Sequence, residues 1–188
     1  MQDKMIVGLV GPISSGKGTV AKYLQENHDA GIYKFSDVLR DVSQRLHLEI
    51  TRENLQNLST CLRKEMGEDI LAKAIAEDVE KDDHDIVVVD GIRRWADIMH
   101  LKKKSNFILT GIEAEPKLRY QRLVQRGENH GDSDKSYEQF LEDQGQEADA
   151  EIPEIIKEAQ EIIENNHDLK NLYNDIEKIL IKYGKKKR

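Results

Sequence analysis

A short segment near the N-terminus has residue types and spacing suited to holding a chain of phosphates. The residues from Gly11 to Lys17 read GPISSGK and fit the pattern G-x-x-x-x-G-K, which marks a phosphate-binding loop when it joins a strand to a helix. Glycines let backbone N–H groups curl around phosphate oxygens, and the lysine adds a positive charge near the β and γ phosphates. The segment therefore predicts binding of a nucleoside triphosphate.

The residues on either side of this segment predict the required strand and helix. The apolar run Met5–Val10 is typical of a strand buried on both faces, and after the loop apolar residues return at helical spacing. Gly18 stands where a Ser or Thr usually follows the lysine, so Thr19 carries the nearest hydroxyl that could serve Mg²⁺. The predicted donor-binding residues in and after the loop are Gly11, Ser14, Ser15, Gly16, Lys17, Gly18 and Thr19.

The rest of the chain alternates between predicted strands and helices, which indicates an α/β domain with a parallel sheet. Residues 85–90 form the clearest further strand, expected beside the first one, and residues 31–35 and 107–112 predict two more. Between residues 36 and 83 the apolar residues follow helical spacing almost throughout. Three helices exceed what a crossover between parallel strands requires, so this stretch predicts a helical acceptor-binding insertion within a single domain.

Two regions of the C-terminal half bear on the site. Residues 127–135 are polar and contain glycine, and Ser136 with Gln139 forms a capping-box pattern that restarts a helix, so about 127–136 is a candidate lid. Apolar residues from 152 to 163 keep helical spacing, although a parallel sheet of this kind would gain a last strand near 160–163. The sequence therefore does not decide whether residues 160–163 form a helix or a strand.

Charge and hydropathy restrict the partners of this chain of 188 residues. Its formal net charge is −7, from 29 Lys and Arg against 36 Asp and Glu, and such a surface repels polyphosphate backbones unless cations gather in one place. We therefore expect no nucleic-acid partner. No apolar run approaches the roughly 18 residues of a membrane span, and no secretory leader pattern is present, so a cytoplasmic location without membrane contact is expected.

The number and spacing of the cysteine and histidine residues predict no structural metal site. The six histidines are scattered, with no pair at zinc-ligand spacing. The single cysteine, Cys61, follows Leu55 and Leu58 at helical spacing. It is therefore predicted to be a buried helix residue rather than a reactive thiol.

Three arginines of one predicted helix gather positive charge. Arg119, Arg122 and Arg126 are spaced by three and four residues and so share a helical face. Phosphoryl transfer depends on cations held around the transferred oxygens, and an acidic protein must concentrate them locally. A solvated stripe of surface charge is the alternative. The adjacent candidate lid favours the functional interpretation.

Two carboxylates follow predicted strands, at the sheet edge where open α/β proteins bind ligands. They are Asp37 and Asp90, and either could instead be a helix cap or a turn residue. Arg63 and Arg94 are weaker acceptor-site candidates, for which a surface position is the simpler interpretation. Trp95 is interpreted as a packing residue rather than a stacking platform.

The residues GKGT at 16–19 resemble adenylate kinases and related nucleoside monophosphate kinases. Two further segments are similar to that family in the same order along the chain. FSDVLR is similar to the segment after the family's second strand, which implies that Arg40 binds the acceptor phosphate. VDGIR is similar to the family's Asp-Gly-Phe-Pro-Arg segment, which implies the same role for Arg93 and a role at Mg²⁺-bound water for Asp90.

The resemblance runs from about residue 5 to residue 126 and includes a last pair of arginines. RLVQR resembles the arginine pair that flanks the family's lid, which implies that Arg122 lies near the donor base and Arg126 near the transferred phosphoryl group. The family's architecture implies a P-loop NTPase fold of three α/β/α layers around a parallel sheet of five strands. It also implies ATP and Mg²⁺ as cofactors, a small nucleotide acceptor, and a monomer or small homo-oligomer.

The sequence leaves the acceptor open. A nucleoside or deoxynucleoside monophosphate offers an anionic phosphate, which needs arginines such as Arg40 and Arg93 and no general base. An acceptor like that of dephospho-CoA kinase offers a ribose hydroxyl that must lose a proton, a task suited to Asp37. Ile92, in place of the family's proline, and the short lid do not decide between them. A regulatory P-loop NTPase is a third hypothesis, although no Asn-Lys-x-Asp motif of a GTPase switch occurs.

Overall fold

The computed structural model describes residues 4–127, 133–143 and 150–185, and within them five strands form one parallel sheet. The strands are β1 (Met5–Val10), β2 (Gly31–Lys34), β3 (Ile86–Ile92), β4 (Phe107–Glu113) and β5 (Glu161–Glu164). They lie in the order β2-β3-β1-β4-β5. The prediction that the first strand is central, with the 85–90 strand beside it, is confirmed.

Helices cover both faces of the sheet. In the described residues they are α1 (Lys17–His28), α2 (Phe35–Arg45), α3 (Arg52–Met66), α4 (Ile70–Lys81), α5 (Trp95–Ile98), α6 (Pro116–Arg126), α7 (Tyr137–Asp143), α8 (Ile152–Lys157) and α9 (Leu169–Lys182), with a 3₁₀ turn at Leu101–Lys103. One hydrophobic cluster contains residues of α2, α4, α5 and α8, with α3 packed against it, and the other contains residues of α1 and α9. The predicted three-layer α/β/α architecture is confirmed.

Residues of β1 alternate between the two clusters, as the two-residue repeat of a strand requires. Ile6 and Val10 belong to the cluster on the side of α2 and α4, whereas Val7 and Leu9 belong to the cluster on the side of α1 and α9. All six residues of the strand are buried. A strand enclosed in this way gives the loop that follows it a rigid base.

The three predicted helices between the second strand and the 85–90 strand are α2, α3 and α4. The helix α3 packs against the core through the partly buried residues Leu55, Leu58 and Leu62. Cys61, predicted to be buried, is exposed, because only this narrow stripe of α3 faces the core and Cys61 lies beside it. That the stretch 36–83 binds an acceptor stays a prediction.

The segment whose helical and strand patterns disagreed contains both structures in turn. The helix α8 ends at Lys157, and β5 then pairs with β4, matching Gly111 with Ile162. Ile163 is 2% exposed and Ile162 is 51% exposed, which is the alternation of a strand with one covered face. Gln160 fixes the start of the pairing, since its Oε1 accepts a hydrogen bond from the N–H of Leu109 at 2.7 Å.

The remaining predicted elements are shorter or lie partly outside the described residues. The capping box is confirmed, because Ser136 N donates to Gln139 Oε1 at 2.9 Å and Gln139 N donates to Ser136 Oγ at 3.2 Å. Residues 128–132 of the predicted lid lie outside the described residues. In the described part of the chain, none of the helices has the length and apolar character needed to cross a membrane.

Candidate phosphate-binding site

The predicted phosphate-binding loop joins β1 to α1 and turns sharply at two residues. Ser14 (φ 58°) and Gly16 (φ 113°) both have positive φ, a region that glycine enters without steric cost. Lys17 begins α1, and its Nζ donates hydrogen bonds to the carbonyl oxygens of Gly11 at 2.6 Å and Pro12 at 3.0 Å. The ammonium group is therefore held at the loop that it is predicted to serve.

Gly11 is required by close packing at the start of the loop. A Cβ atom at this residue would lie 2.2 Å from the carbonyl oxygen of Ile112 and 2.8 Å from Ser15 Oγ. Backbone at such a distance cannot give way as the end of a flexible side chain does. The first glycine of the pattern thus lets the loop lie directly against the end of β4.

Several polar side-chain atoms at the loop are buried without a hydrogen-bond partner among the described residues. They include the Oγ atoms of Ser14 and Ser15 and Oδ1 of Asp90. Asp90 lies near the end of β3, where it pairs in register with Leu9 of β1, two residues before the loop begins. Because buried polar atoms are normally satisfied, these oxygens have unused capacity for a ligand, a water molecule or a metal ion.

The residues around the loop fit a Mg²⁺ ion that is bound to phosphates. Mg²⁺ prefers oxygen ligands and keeps several of its waters, and Asp90 Oδ1 and Ser15 Oγ are oxygens of this kind that have no hydrogen-bond partner within the described part of the chain. A Cβ at Gly18 would meet no atom within 4 Å. No close contact therefore requires glycine in place of the usual Ser or Thr. That Thr19 and Asp90 serve the metal stays a prediction.

Asn165, which the sequence analysis missed, supports the loop from the side of β5. It is 5% exposed, and its Nδ2 donates to the carbonyl oxygen of Ser15 at 2.8 Å. Its backbone N–H donates to Glu113 O at 2.7 Å, and its carbonyl oxygen accepts from Arg122 Nη2 at 2.9 Å. A Cβ at Gly16 would lie 2.3 Å from Asn165 Nδ2. The second glycine of the loop is thus required by its φ and by this contact.

Arg119 of α6 is buried, which contradicts the alternative of a solvated stripe of surface charge for this residue and leaves the functional interpretation of the three arginines a prediction. It is 4% exposed, and its guanidinium group lies 5.4 Å from the ring of Phe140 on α7. Nε donates to Ala114 O at 3.0 Å, and Nη1 donates to Ile13 O at 3.4 Å. Arg119 therefore contacts the backbone of the phosphate-binding loop from outside it.

Arg122 and Arg126 have different surroundings on the same helix. Arg122 is partly buried and holds Asn165, with its Nη1 buried and lacking a partner among the described residues. Arg126 is exposed at the end of α6. Burial lowers the pKa of both the Arg119 and the Arg122 guanidinium groups from their ordinary value, although guanidinium groups stay charged at neutral pH. The donor roles predicted for Arg122 and Arg126 stay predictions.

The predicted acceptor residues lie after the carboxyl ends of β2 and β3. Arg40 and Asp37 are on α2, and Arg40 Nη1 donates to Asp37 Oδ1 at 2.9 Å and to Ser36 Oγ at 2.8 Å. Arg93 directly follows β3 and is exposed. The structure therefore brings Asp37 and Arg40 together as an ion pair and places Arg93 after the adjacent strand. That these three residues bind the acceptor stays a prediction.

The order of the strands puts the two groups of arginines on opposite sides of the loop. Because β1 lies between β3 and β4, Arg40 and Arg93 are on one side of it, whereas Arg122 and Arg126, in the helix after β4, are on the other. A phosphate chain that lies along the loop would therefore have cations on both sides. This is the charge distribution that phosphoryl transfer between two bound molecules requires.

The surface positions expected for Arg63 and Arg94 are only partly observed. Arg63 is 7% exposed and pairs with the buried Asp97, Nη2 to Oδ1, at 2.7 Å, so its predicted surface position is wrong. Arg94 is partly exposed, and its Nη1 lies 3.4 Å from Oε2 of Glu68. Trp95, interpreted as a packing residue, is 39% exposed.

Comparison with known proteins gives a family and a fold. The family model described as an AAA domain matches residues 10–140. A UPF0200 protein of Pyrococcus horikoshii is 30% identical over 183 residues, which are 95% of this chain and 97% of that protein. The chain belongs to the AAA domain family and to the UPF0200 proteins. Another UPF0200 protein, from Methanocaldococcus jannaschii, is 28% identical over 94% of this chain and 89% of its own length.

Solved structures that resemble this UPF0200 chain include two shikimate kinases. The enzyme from Bacteroides thetaiotaomicron has a TM-score of 0.63 at 14% identity and covers 94% of this chain and 97% of its own. The enzyme from Acinetobacter baumannii, in complex with shikimate, has a TM-score of 0.57 at 18% identity and covers 98% and 97%. Similarity at this identity shows the fold alone, and that fold is the three-layer α/β/α P-loop fold expected from the sequence.

Proposed function

We propose that this chain transfers the γ-phosphoryl group of ATP, with Mg²⁺, to a nucleoside or deoxynucleoside monophosphate. The observation that carries the proposal is the placing of arginines on both sides of the phosphate-binding loop. Two anionic molecules that meet above one loop repel each other, and cations on each side offset that repulsion. A domain that only bound and hydrolysed a triphosphate would have no need of Arg40 and Arg93 after β2 and β3.

Each residue of the site has a role in this reaction. Lys17 would hold the β and γ oxygens, and Asp90 and Thr19 would hold Mg²⁺, which neutralises phosphate charge when bound. The side chain of Arg126, exposed at the end of α6, would stabilise the transferred group. On the other side Arg40 would bind the acceptor phosphate, which attacks as an anion and therefore needs no general base.

A hydroxyl acceptor is the second candidate, because two of the similar solved structures are shikimate kinases and one of them holds shikimate. A hydroxyl group must lose its proton, and Asp37 is the carboxylate on the acceptor side that could take it. However, Asp37 Oδ1 already accepts a hydrogen bond from Arg40. This pairing favours a joint role in holding an anion, with Asp37 orienting the arginine.

An acceptor screen tests the proposal. Purified protein with ATP and Mg²⁺ is incubated separately with nucleoside and deoxynucleoside monophosphates, dephospho-CoA and shikimate, and both ADP and the phosphorylated acceptor are measured. We expect ADP release that depends on a monophosphate and matches the diphosphate formed. Transfer to a hydroxyl acceptor alone would support the second candidate. Equal ADP release with every acceptor would indicate a regulatory NTPase and contradict both.

Asp37→Asn distinguishes the two acceptor chemistries. The amide keeps an oxygen that accepts from Arg40 but cannot act as a base. With a monophosphate acceptor we expect kcat to stay within a small factor of the parent value. With a hydroxyl acceptor kcat should fall by about 10²- to 10⁴-fold, the usual contribution of a general base. Steady-state kinetics measures the difference, and Asp41→Asn, exposed on the same helix, is the matched control.

A further inference from the structure

The side chain of Asp97 fixes the turn that follows β3. Asp97 is 2% exposed, and its Oδ2 accepts hydrogen bonds from the backbone N–H groups of Arg93 at 2.9 Å and Arg94 at 3.0 Å. The N–H of Asp97 in turn donates to the carbonyl oxygen of Arg94 at 3.0 Å. These bonds hold the backbone at Arg93 in one conformation, and that backbone sets the direction in which the Arg93 side chain leaves the sheet edge.

The other oxygen of Asp97 connects this turn to a distant helix. Oδ1 accepts from Nη2 of Arg63, in the last turn of α3, at 2.7 Å. Arg63 also donates through Nη1 to the carbonyl oxygen of Glu68 and through Nε to Ser59 Oγ at 3.4 Å. One guanidinium group thus joins the end of α3, the residues after it and the turn that carries Arg93.

A buried ion pair of this kind is poorly explained by stability alone. Removing two charges from water costs about as much as their attraction returns, so apolar residues of similar volume often serve as well. A guanidinium group that donates to three acceptors and a carboxylate with both oxygens occupied do, however, fix a geometry. Both groups are buried, which prevents either from touching an acceptor directly and leaves Arg93 as the group through which they act.

We propose that Arg63 and Asp97 are positioning residues that orient Arg93 toward the phosphate of the acceptor and link its orientation to α3. The proposal rests on the proposed function of the chain. Because α3 lies in the stretch predicted to bind the acceptor, any displacement of this helix on acceptor binding is carried through Arg63 to the backbone of Arg93. The expected consequence is a site in which α3 and the strand-end arginine engage the acceptor together.

Steady-state kinetics of four variants tests the positioning role. Arg63→Met removes the link, whereas Arg63→Lys keeps the positive charge but loses the planar guanidinium group with its several donors. Lys64→Met is the control, since Lys64 is the next residue of α3 and its side chain is 79% exposed. Arg63→Met removes the cation beside the buried Asp97, and a folding defect would then obscure the kinetic result. The double variant Arg63→Met with Asp97→Asn avoids this, because the Asn oxygen still accepts from the two N–H groups.

The expected result is a selective loss on the acceptor side. In the folded variants that lack the link, the KM for the acceptor should rise by about 10- to 100-fold, the range that a misplaced binding group produces, while the KM for ATP stays at the parent value. Arg63→Lys should recover part of the loss, and Lys64→Met should behave as the parent. Circular dichroism checks that each variant is folded.

Three outcomes would overturn the inference in distinguishable ways. Parental acceptor KM in the folded double variant, with transfer intact, would overturn the link from α3 through Arg63 and leave the proposed function standing. Equal increases in the KM values for ATP and for the acceptor would show that the pair only maintains the fold. Absence of acceptor-dependent transfer by the parent chain would overturn the proposed function and the positioning role together.

Discussion

Lys17→Ala is expected to lower the rate of phosphoryl transfer by about a thousandfold or more, which corresponds to about 4 kcal/mol of transition-state stabilisation. The ammonium group is held at the loop by the carbonyl oxygens of Gly11 and Pro12, so a bound triphosphate would meet it without a large rearrangement. No other cation of the loop itself could replace it, because Gly11 to Gly16 contain no lysine or arginine.

The fold should survive this substitution. Lys17 is partly exposed at the first position of α1, and the two carbonyl oxygens that it contacts could be hydrated once the side chain is removed. Lys22→Ala is the matched control, since Lys22 is on the same helix with a side chain that is 72% exposed. Transfer rates are measured beside circular dichroism spectra. Near-parental turnover by a folded Lys17→Ala protein would contradict the assignment of the loop.

The parts of this fold that the sequence predicted well are those defined by neighbouring residues. The strand Met5–Val10, the glycine loop and the helix after it are each recognisable within a dozen residues, because burial on both faces demands an unbroken apolar run. The strand Glu161–Glu164 was not decided by pattern, since four residues with one covered face also fit a helical repeat. Pairing with β4, a contact across about 50 residues, decided it.

Asn165 was missed and the burial of Arg63 was predicted wrongly, both for the same physical reason. Asn165 contacts Ser15 across a separation of 150 residues, and Arg63 contacts Asp97 across 34, so neither contact has a local signature. An uncharged amide directly after a strand at the carboxyl edge of the sheet was the available signal for Asn165. For Arg63 no signal was available, because an arginine on a polar helix is normally exposed and only its buried partner makes its position favourable.

Three side chains that do not belong to the phosphate-binding loop hold its backbone in place. Arg119 donates to Ile13, Asn165 donates to Ser15, and Arg122 holds Asn165 in place. Each of the first two occupies a carbonyl oxygen of the loop. A peptide plane whose carbonyl oxygen is fixed on one side directs the N–H of the following residue to the other, so these contacts help preorganise the amides for phosphate.

Asn165→Asp is expected to weaken ATP binding by about a hundredfold, or close to 3 kcal/mol. The two side chains have the same shape, but a carboxylate cannot donate to the carbonyl oxygen of Ser15, which would then face a buried oxygen with no hydrogen between them. The loop would have to shift, and its amides would no longer converge. Calorimetric titration with ATP and Mg²⁺ measures the loss.

Asn166→Asp separates the lost hydrogen bond from the added charge. Asn166 is the next residue, and its Oδ1 accepts from the N–H of Glu115 at 2.8 Å, a bond that a carboxylate keeps. Both variants add one negative charge, at adjacent residues of the chain, so general repulsion of ATP contributes in both. If only Asn165→Asp loses affinity, the amide supports the loop through its donor. Equal losses in both variants would mean that charge alone acts and that the contact with Ser15 has no part in nucleotide binding.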